Sequence, residues 1–288
     1  MTSRHLWDGV PDVLSALADA GYLADIPIAQ TVFLADRLQK PILCEGPAGV
    51  GKTALALALA KISGRRLVRL QCYEGLDEAR ALYEWDYHKQ LLRLQFDEGK
   101  SWGEVEGDIF GEDFLMTRPL LESITSEEPV VLLVDEVDRI EMETEALLLE
   151  VLDSFQVTIP ELGTITAKTR PLVVLTSNNT RELSEALKRR CLYLHIGYPT
   201  VQREQEILAA RVPGLSQKLV ESIAATVASI RELPLRKPPS VSESIDWARA
   251  LIALGIDDLM GEDPAGLMNV LLKHREDLDT VHRELKLQ

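Results

Sequence analysis

The chain has 288 residues, of which 46% are hydrophobic, 31 are Lys or Arg and 46 are Asp or Glu, giving a formal net charge of -15. This content predicts a folded chain with a full core and excludes an intrinsically disordered one. The acidity argues against a nucleic acid partner, because a phosphate backbone would be repelled everywhere except at a local basic patch.

Hydropathy and cysteine spacing exclude several further classes. The longest apolar runs, such as 54–60 and 130–134, are far shorter than the roughly 18 residues of a membrane span. The opening residues MTSRHLWDG lack the apolar region of a signal peptide. Cys44, Cys72 and Cys191 stand singly, without the spacing of a disulfide framework or a zinc site. We therefore expect a cytoplasmic protein without a membrane span.

The first two thirds of the chain alternate apolar runs of strand length with helix-like segments. Nearly unbroken hydrophobic strands of this kind predict a parallel sheet covered by helices on both faces. Residues 54–60, ALALALA, also alternate with period two, but Ala and Leu are strong helix formers and Gly64 suits a helix C-terminus, so we predict a helix. The predicted strands are 41–45, 66–72, 130–134, 171–176 and 191–196.

The character of the sequence changes after Pro199. Thr200, Ser216 and Ser240 each precede a helical pattern at a position where an N-cap belongs. Ser240 and Glu243 form an S-x-x-E capping box. Since no strand signal follows residue 196, we predict a small all-helical domain over 200–288.

A phosphate-binding motif follows the first predicted strand. GPAGVGKT, residues 46–53, fits G-x-x-x-x-G-K-[ST] in full and opens a predicted helix, as the mechanism of a P-loop requires. Backbone N–H groups would surround the phosphates of ATP, Lys52 would reach the β and γ phosphates and Thr53 would hold Mg²⁺. The predicted nucleotide-binding residues are Gly46, Pro47, Ala48, Gly49, Val50, Gly51, Lys52 and Thr53, with Asp135.

Two carboxylates close the buried strand VVLLVDE. Asp135 stands where a Walker B aspartate holds Mg²⁺ through its waters. Glu136 is placed to orient and deprotonate an attacking water, so the predicted chemistry is ATP hydrolysis. Paired acids after a strand can also mark a helix N-terminus, but the complete P-loop some 85 residues upstream favours the catalytic interpretation.

The order of these motifs resembles the AAA+ ATPases. A P-loop, a DE-type Walker B, a strand ending in Asn and the closing pair in ALKRRC, residues 186–191, follow one another here. QVTIPELGTITAKTRP, residues 156–171, reads as a hairpin inserted before the Asn-bearing strand, which resembles the MoxR family. The phrase TSNNTRELSEALKRRCLYLHIGYP is most similar to its CoxD-like branch, which matures carbon monoxide dehydrogenase.

The resemblance implies roles for particular residues. Asn178 would be the sensor of the attacking water or γ-phosphate, with Asn179 as a substitute. Arg190 would be the arginine finger, completing the site of a neighbouring subunit, and Arg189 could share that role. A ring of identical subunits, usually a hexamer, is implied. The family's second sensor arginine is missing, because its position falls on Ser242.

Three cations could replace that missing arginine: Arg236, Lys237 and Arg249. The resemblance further implies a fold of two domains, an AAA+ α/β nucleotide-binding domain over 1–199 and a helical lid over 200–288. The first would contain a helix-2 insertion over about 73–114.

This predicted insertion is acidic and aromatic. It holds twelve acidic against four basic residues and eight of the fifteen aromatic residues of the chain. Tyr83, Trp85, Tyr87 and Trp102 could grip a protein client, or they could pack in a core. An acidic aromatic surface suits a protein better than a nucleic acid.

The predicted function is therefore remodelling or maturation of a protein client, a metalloenzyme among the candidates, by a ring-forming ATPase. The resemblance implies a partner with a von Willebrand factor A domain. Two alternatives remain open: an AAA+ ATPase that remodels nucleic acid, and a P-loop kinase of small molecules. DNA stimulation would favour the first, and activity in a monomer that is insensitive to Arg190 would favour the second.

Overall fold

The structure, a computed structural model, describes residues 5–96, 109–259 and 267–284. The chain divides into two compact units. The first comprises Met1–Glu45 and Thr53–Leu194, and the second comprises Gly46–Lys52 and His195–Gln288. In the described part of the chain, no helix has both the length and the apolar character needed to cross a bilayer.

A five-stranded sheet carries the predicted motifs. Its strands lie in the order β2, β5, β8, β1, β9, and the pairs β2–β5, β5–β8 and β8–β1 are parallel. The strands are β1 Ile42–Glu45, β2 Arg66–Gln71, β5 Val130–Asp135, β8 Leu172–Ser177 and β9 Leu192–His195. The predicted fold class, an α/β fold with a five-stranded parallel sheet, is thus confirmed.

The burial of each strand follows from its place in the sheet. Every residue of the inner strands β5 and β8 is buried, because helices cover both faces of a parallel sheet. The edge strand β2 alternates buried with exposed residues, which leaves room for charged side chains such as Arg69. The turns after β5 and β8 both follow the carboxyl ends of parallel strands, so the sheet brings them to one edge.

Helices flank and connect the strands of this sheet. The segment predicted as a helix despite its period-two pattern lies within α3, and Gly64 follows that helix at a φ of +67°. The helices of the first part are α1 Val10–Asp19, α2 Ile26–Leu38, α3 Lys52–Ser63, α4 Glu78–Ala81, α5 Tyr87–Phe96, α6 Pro119–Thr125, α7 Met142–Ser154 and α8 Glu185–Arg190.

Two antiparallel strand pairs project from this arrangement. β6 Gln156–Ile159 pairs with β7 Gly163–Thr166, which confirms the hairpin predicted before the Asn-bearing strand. Within the predicted insertion, β3 Tyr83–Trp85 pairs with β4 Leu115–Thr117.

The aromatic residues of the predicted insertion have different environments. Trp85 is buried in the hydrophobic core of the first unit. Its ring packs edge-to-face against the rings of Tyr83 and Phe110, with 6.2 and 5.4 Å between the ring centroids. The suggestion that Trp85 grips a client is therefore wrong, because its ring area stabilises the core instead. Tyr87 is exposed on α5, and Trp102 lies outside the described residues.

The second unit contains only helices among its described elements after β9. Thr200, Ser216 and Ser240 each accept a hydrogen bond from the third residue of the helix that they cap, as predicted. The capping box of Ser240 and Glu243 is also present. These helices are α9 Val201–Arg211, α10 Gln217–Arg231, α11 Val241–Ala253, α12 Met268–Leu271 and α13 Arg275–Glu284.

A buried ion pair joins three of these helices. Arg231 of α10 contacts both carboxylate oxygens of Glu204 of α9 at 2.5 and 2.9 Å, with side chains 9% and 0% exposed. The Ser244 hydroxyl of α11 donates to the same carboxylate at 2.7 Å. The guanidinium also lies 4.7 Å from the ring centroid of Tyr198. Removing one partner would leave a buried charge uncompensated.

Replacing Arg231 by methionine should therefore destabilise the helical unit. We expect the free energy of unfolding, measured by urea titration, to fall by about 3 to 5 kcal/mol. Lys218→Met, which breaks an exposed pair with Asp258, serves as the control and should cost less than about 1 kcal/mol. Equal losses in the two variants would contradict the role given to the buried pair.

Candidate functional site

The glycine-rich loop is folded around its own lysine. Lys52 is buried, and its ammonium donates to the carbonyl oxygens of Gly46 and Pro47, each at 2.7 Å. Gly49 and Gly51 have φ values of +73° and +103°, which side chains rarely adopt. A Cβ at Gly46 would lie 2.0 Å from the carbonyl oxygen of Ile196. The backbone conformation and the close approach at these positions therefore favour glycine.

The helix α11 contacts this loop within the second unit. The Ser242 backbone N–H and hydroxyl lie 3.3 and 3.4 Å from the Gly49 carbonyl oxygen. Ser242 is the position at which the resemblance expects an arginine. Among the three cations predicted as substitutes, Lys237 pairs with Glu243 and Arg249 with Asp246, and the Arg236 backbone N–H donates to Asp277.

Asp135 accepts hydrogen bonds from two threonine hydroxyl groups. The Thr53 hydroxyl donates to Oδ1 of Asp135 at 2.9 Å, and the Thr176 hydroxyl of β8 donates to the same oxygen at 2.6 Å. Because Thr53 gives its only proton to Asp135, its lone pairs remain available to a metal ion. Hard oxygen ligands of this kind suit Mg²⁺, so the residues fit the cofactor that the motifs predict.

The two oxygen ligands come from different elements. Thr53 lies in the first turn of α3 and Asp135 ends β5. No cluster of three or more His, Cys, Asp or Glu that could hold a metal ion occurs among the described residues. Proteins commonly hold Mg²⁺ through one or two carboxylates, completed by phosphate and water.

Glu136 has an unusual backbone conformation. Its φ of 58° and ψ of 50° are left-handed, which costs a residue with a Cβ on the order of 1–2 kcal/mol. Its N–H donates to the Thr176 hydroxyl at 2.9 Å, and this bond helps to hold the turn. Its carboxylate pairs with Arg139 at 2.7 Å. Strained backbone of this kind concentrates at functional sites.

A buried carboxylate fixes the turn that carries Asn178. Oδ1 of Asp138 accepts from the Asn178 N–H at 3.2 Å, and Oδ2 accepts from the Thr180 N–H at 2.9 Å and hydroxyl at 2.6 Å. Asn178 is half-buried, and Asn179 is exposed with a φ of +58°. Asp138 thus ties the turn after β8 to the turn after β5.

The helix α7 holds the following segment at two points. Glu145, buried, accepts from the Ser184 N–H and from Arg181, each at 2.9 Å. Asp153 at the other end pairs with Arg190 at 3.3 Å. The position of helix α8, which carries the predicted arginine finger, is therefore set from both of its ends.

The two candidate finger arginines differ in environment. Arg190 is half-buried, pairs with Asp153 and donates to the Ala186 carbonyl oxygen at 3.1 Å. Arg189 is exposed and makes no ion pair with any residue that the structure describes. Lys188 pairs with Glu182 and Glu185 of its own chain. Arg189 is thus the cation of this run that is presented to solvent.

Cys191, next to these arginines, has a thiol that is unsuited to act as a nucleophile. Burial raises the pKa of the Cys191 thiol to about 12, although Lys40 and Arg190 oppose the shift. Burial likewise raises the pKa of Cys72 to about 12, with a further contribution from Asp135. Since the thiolate is the reactive form, neither residue is a nucleophile at neutral pH.

Several residues of this site were not predicted from the sequence. Thr176 and Glu145 lie in apolar or helical patterns that give no sign of their contacts. Asp138 stands three residues after Asp135 in VDEVD, and its distance from the strand end is the one signal that could have pointed to it. Arg69 appears as an ordinary charged residue on an edge strand.

Comparisons with known proteins identify the family of the chain. The chain matches the family described as "ATPase family associated with various cellular activities (AAA)" over residues 42–198, more than half of its 288 residues. Uncharacterized proteins of Staphylococcus aureus strains bovine RF122 / ET3-1 and USA300 are each 27% identical over 229 residues, covering 75% of this chain and 77% of theirs.

Solved structures also resemble this chain, and one of them serves as an example. A chain of a Thermotoga maritima RuvB mutant superposes with a TM-score of 0.48 at 16% identity, covering 98% of this chain and 72% of that one.

The conformation of the glycine-rich loop leads to a first test at this site. At Gly49 an alanine Cβ would lie 2.3 Å from the Ser240 hydroxyl oxygen, whereas at Gly64, with a similar φ of +67°, nothing lies within 4 Å. We expect Gly49→Ala to weaken binding of a fluorescent ADP analogue at least about tenfold, a loss of about 1.4 kcal/mol, because the new Cβ must displace Ser240 or the loop itself. Gly64→Ala should leave this affinity unchanged, and equal affinities in both variants would contradict the argument.

The buried carboxylates predict a pH dependence of stability. Burial raises the pKa of the Asp138 carboxyl, but hydrogen bonds from Thr180 and Asn178 outweigh burial and lower it. Burial and hydrogen bonds from Ser184 and Arg181 act in the same way on Glu145, with a lowered pKa as the result. Both carboxyls therefore stabilise the fold fully above their unfolded pKa values, near about 4. This stabilisation is lost as the pH falls through the lower folded values.

The double variant Asp138→Asn Glu145→Gln should lack this component. We expect its free energy of unfolding, from urea titrations between pH 7 and 3, to decline less steeply below about pH 4.5 than that of the wild type. Asp19→Asn, which removes an exposed carboxylate, is the control and should keep the wild-type slope. A double variant with the wild-type slope would show that these hydrogen bonds do not stabilise the charged forms.

Proposed function

Because the chain belongs to the ATPase family associated with various cellular activities, we propose that it is a ring-forming, MoxR-like ATPase that hydrolyses ATP to remodel or mature a protein client. The observation that carries the proposal is the 2.9 Å hydrogen bond from the Thr53 hydroxyl to Asp135. It joins the last residue of the P-loop to the carboxylate that ends β5, at the place where Mg²⁺ would bind.

In this proposal each step of hydrolysis is assigned to particular residues of the chain. The loop 46–53 holds the phosphates by its backbone N–H groups, and Lys52 exchanges its carbonyl partners for phosphate oxygens. Thr53 and Asp135 would hold Mg²⁺, which would supply positive charge beside the phosphoryl oxygens. Glu136 orients the attacking water and accepts its proton, and Asn178 donates to that water or to the γ-phosphate.

Glu136 must leave Arg139 before it can act on water. The pair is half-exposed at 2.7 Å, so its net energy is small, on the order of 0–1 kcal/mol. Glu136 can therefore exchange Arg139 for water with only a small loss of free energy. The carboxylate stays close to the Walker B strand in either arrangement, because its backbone N–H is fixed to Thr176.

The arginine finger comes from a neighbouring subunit in this proposal. A permanent planar cation beside the transferred phosphoryl group accelerates such reactions by roughly 10³ to 10⁵. Arg189 is exposed, whereas Arg190 is held by Asp153. We assign the finger to this pair, with Arg189 presented directly and Arg190 available after it releases Asp153.

A protein client is favoured by the surface of α5. Tyr87, Leu91 and Leu92 of this helix are each more than half exposed. Together with the acidity of the chain, these apolar side chains suit a protein surface better than a phosphate backbone. By its resemblance to the MoxR family, the chain is proposed to act with a partner that carries a von Willebrand factor A domain.

Mixing of inactive subunits tests the shared site. Glu136→Gln should abolish turnover in a uniform ring, and Arg189→Ala or Arg190→Ala should lower it by roughly 10³-fold or more, according to which residue is the finger. A mixture of Glu136→Gln with the inactive arginine variant should regain turnover, because some interfaces then pair an intact Glu136 with an intact arginine. Phosphate release measured across a range of mixing ratios gives the result.

Lys188→Ala is the matched control, since Lys188 lies on the same short helix but pairs within its own chain. It should keep nearly full activity. Full activity in a strictly monomeric fraction, or no loss in either arginine variant, would overturn the shared site. Stimulation by DNA but not by a protein partner would instead favour a nucleic-acid-remodelling ATPase.

A further inference from the structure

An arginine of the edge strand reaches the Walker B carboxylate. Arg69 lies on β2, two residues before Gln71, which is paired in register with Asp135 of β5. Its Nη2 atom is 2.6 Å from Oδ2 of Asp135 and 2.5 Å from the side-chain oxygen of Gln71. Neither the motifs nor the proposed steps of hydrolysis assign a role to this residue.

The contacts of Asp135 are divided between its two oxygens. Oδ1 accepts from the hydroxyls of Thr53 and Thr176, whereas Oδ2 faces the guanidinium of Arg69. The neutral donors therefore occupy one oxygen and a cation occupies the other. A water molecule of hydrated Mg²⁺ that donates to Asp135 would need Oδ2, the same acceptor that Arg69 uses.

The two members of the pair differ greatly in exposure. The Asp135 side chain is 4% exposed and that of Arg69 is 51% exposed. Burial of an unpaired carboxylate costs several kcal/mol, so a cation beside Asp135 is strongly favoured. Arg69 can release its guanidinium into water at small cost. The carboxylate is thus fixed while its present cation is free to leave.

We propose that Arg69 is a positioning residue that holds Oδ2 of Asp135 in the nucleotide-free chain and is exchanged for hydrated Mg²⁺ when nucleotide binds. The two cations compete for one acceptor and repel each other at this distance. Arg69 consequently sets the Mg²⁺ concentration that the site requires. The inference rests on the proposed function, in which Asp135 holds Mg²⁺.

The test measures Mg²⁺ dependence of nucleotide binding rather than turnover. The intact protein is titrated with a fluorescent ADP analogue at a series of Mg²⁺ concentrations, with EDTA as the zero point. Arg69→Gln should lower the half-saturating Mg²⁺ concentration by roughly 5- to 150-fold, the range of typical coupling between two ligands. Affinity for the analogue in EDTA should change little.

Two further variants make the test specific. Arg66→Gln removes a cation from the same strand, where Arg66 pairs with Glu122, and should leave the Mg²⁺ dependence unchanged. Arg69→Lys keeps a weaker, single-point cation and should give an intermediate value. It also carries the test if Arg69→Gln does not fold.

Each outcome decides the inference. An unchanged or higher half-saturating Mg²⁺ concentration in both Arg69 variants would overturn the exchange, with the proposed function intact if the wild type still binds nucleotide in a Mg²⁺-dependent way. A wild type that does not bind the analogue at any Mg²⁺ concentration would overturn the proposed function and this inference together.

Discussion

The buried carboxylate of Asp135, at the end of β5, is the constraint on which the site depends. Asp135 has lost almost all contact with water, so its charge must be met by donors from its surroundings. Three elements supply them: the first turn of α3 through Thr53, β8 through Thr176 and β2 through Arg69. The parallel sheet makes this possible, because the ends of its strands meet at one edge. The need to satisfy one charge thereby places the hydroxyl and carboxylate that together can hold Mg²⁺.

Further carboxylates beyond Asp135 hold the segments that follow β8. Asp138 accepts a hydrogen bond from the backbone of the turn that carries Asn178. Glu145 and Asp153 hold the two ends of the helix that ends in Arg190. The turn of Asn178 and the helix that ends in Arg190 are thus held by hydrogen bonds and an ion pair from carboxylates that follow β5 in the chain.

Much of this site could be predicted from sequence, and the remainder could not for definite physical reasons. The P-loop and the DE pair are recognisable because backbone phosphate binding requires glycine, lysine and threonine at fixed spacing. The strands and helix caps follow from local patterns, and the structure confirms them. Thr176, Glu145 and Arg69 act through partners distant in the chain, so no local pattern marks them. Trp85 shows the converse, since an aromatic residue suggested for client binding packs in the core. The roles of Asn178, Arg189 and Arg190 stay predictions.

Calorimetric titration of Mg²⁺ and ADP into the wild type and Asp135→Asn tests the central claim most directly. Asparagine keeps the shape of the side chain and an acceptor for the two hydroxyls but removes the charge. The account predicts that Asp135→Asn still binds ADP in EDTA through the glycine-rich loop, while the gain in affinity on adding Mg²⁺ is lost. A variant that gains as much affinity from Mg²⁺ as the wild type would show that Asp135 does not hold the metal, and the account would fail.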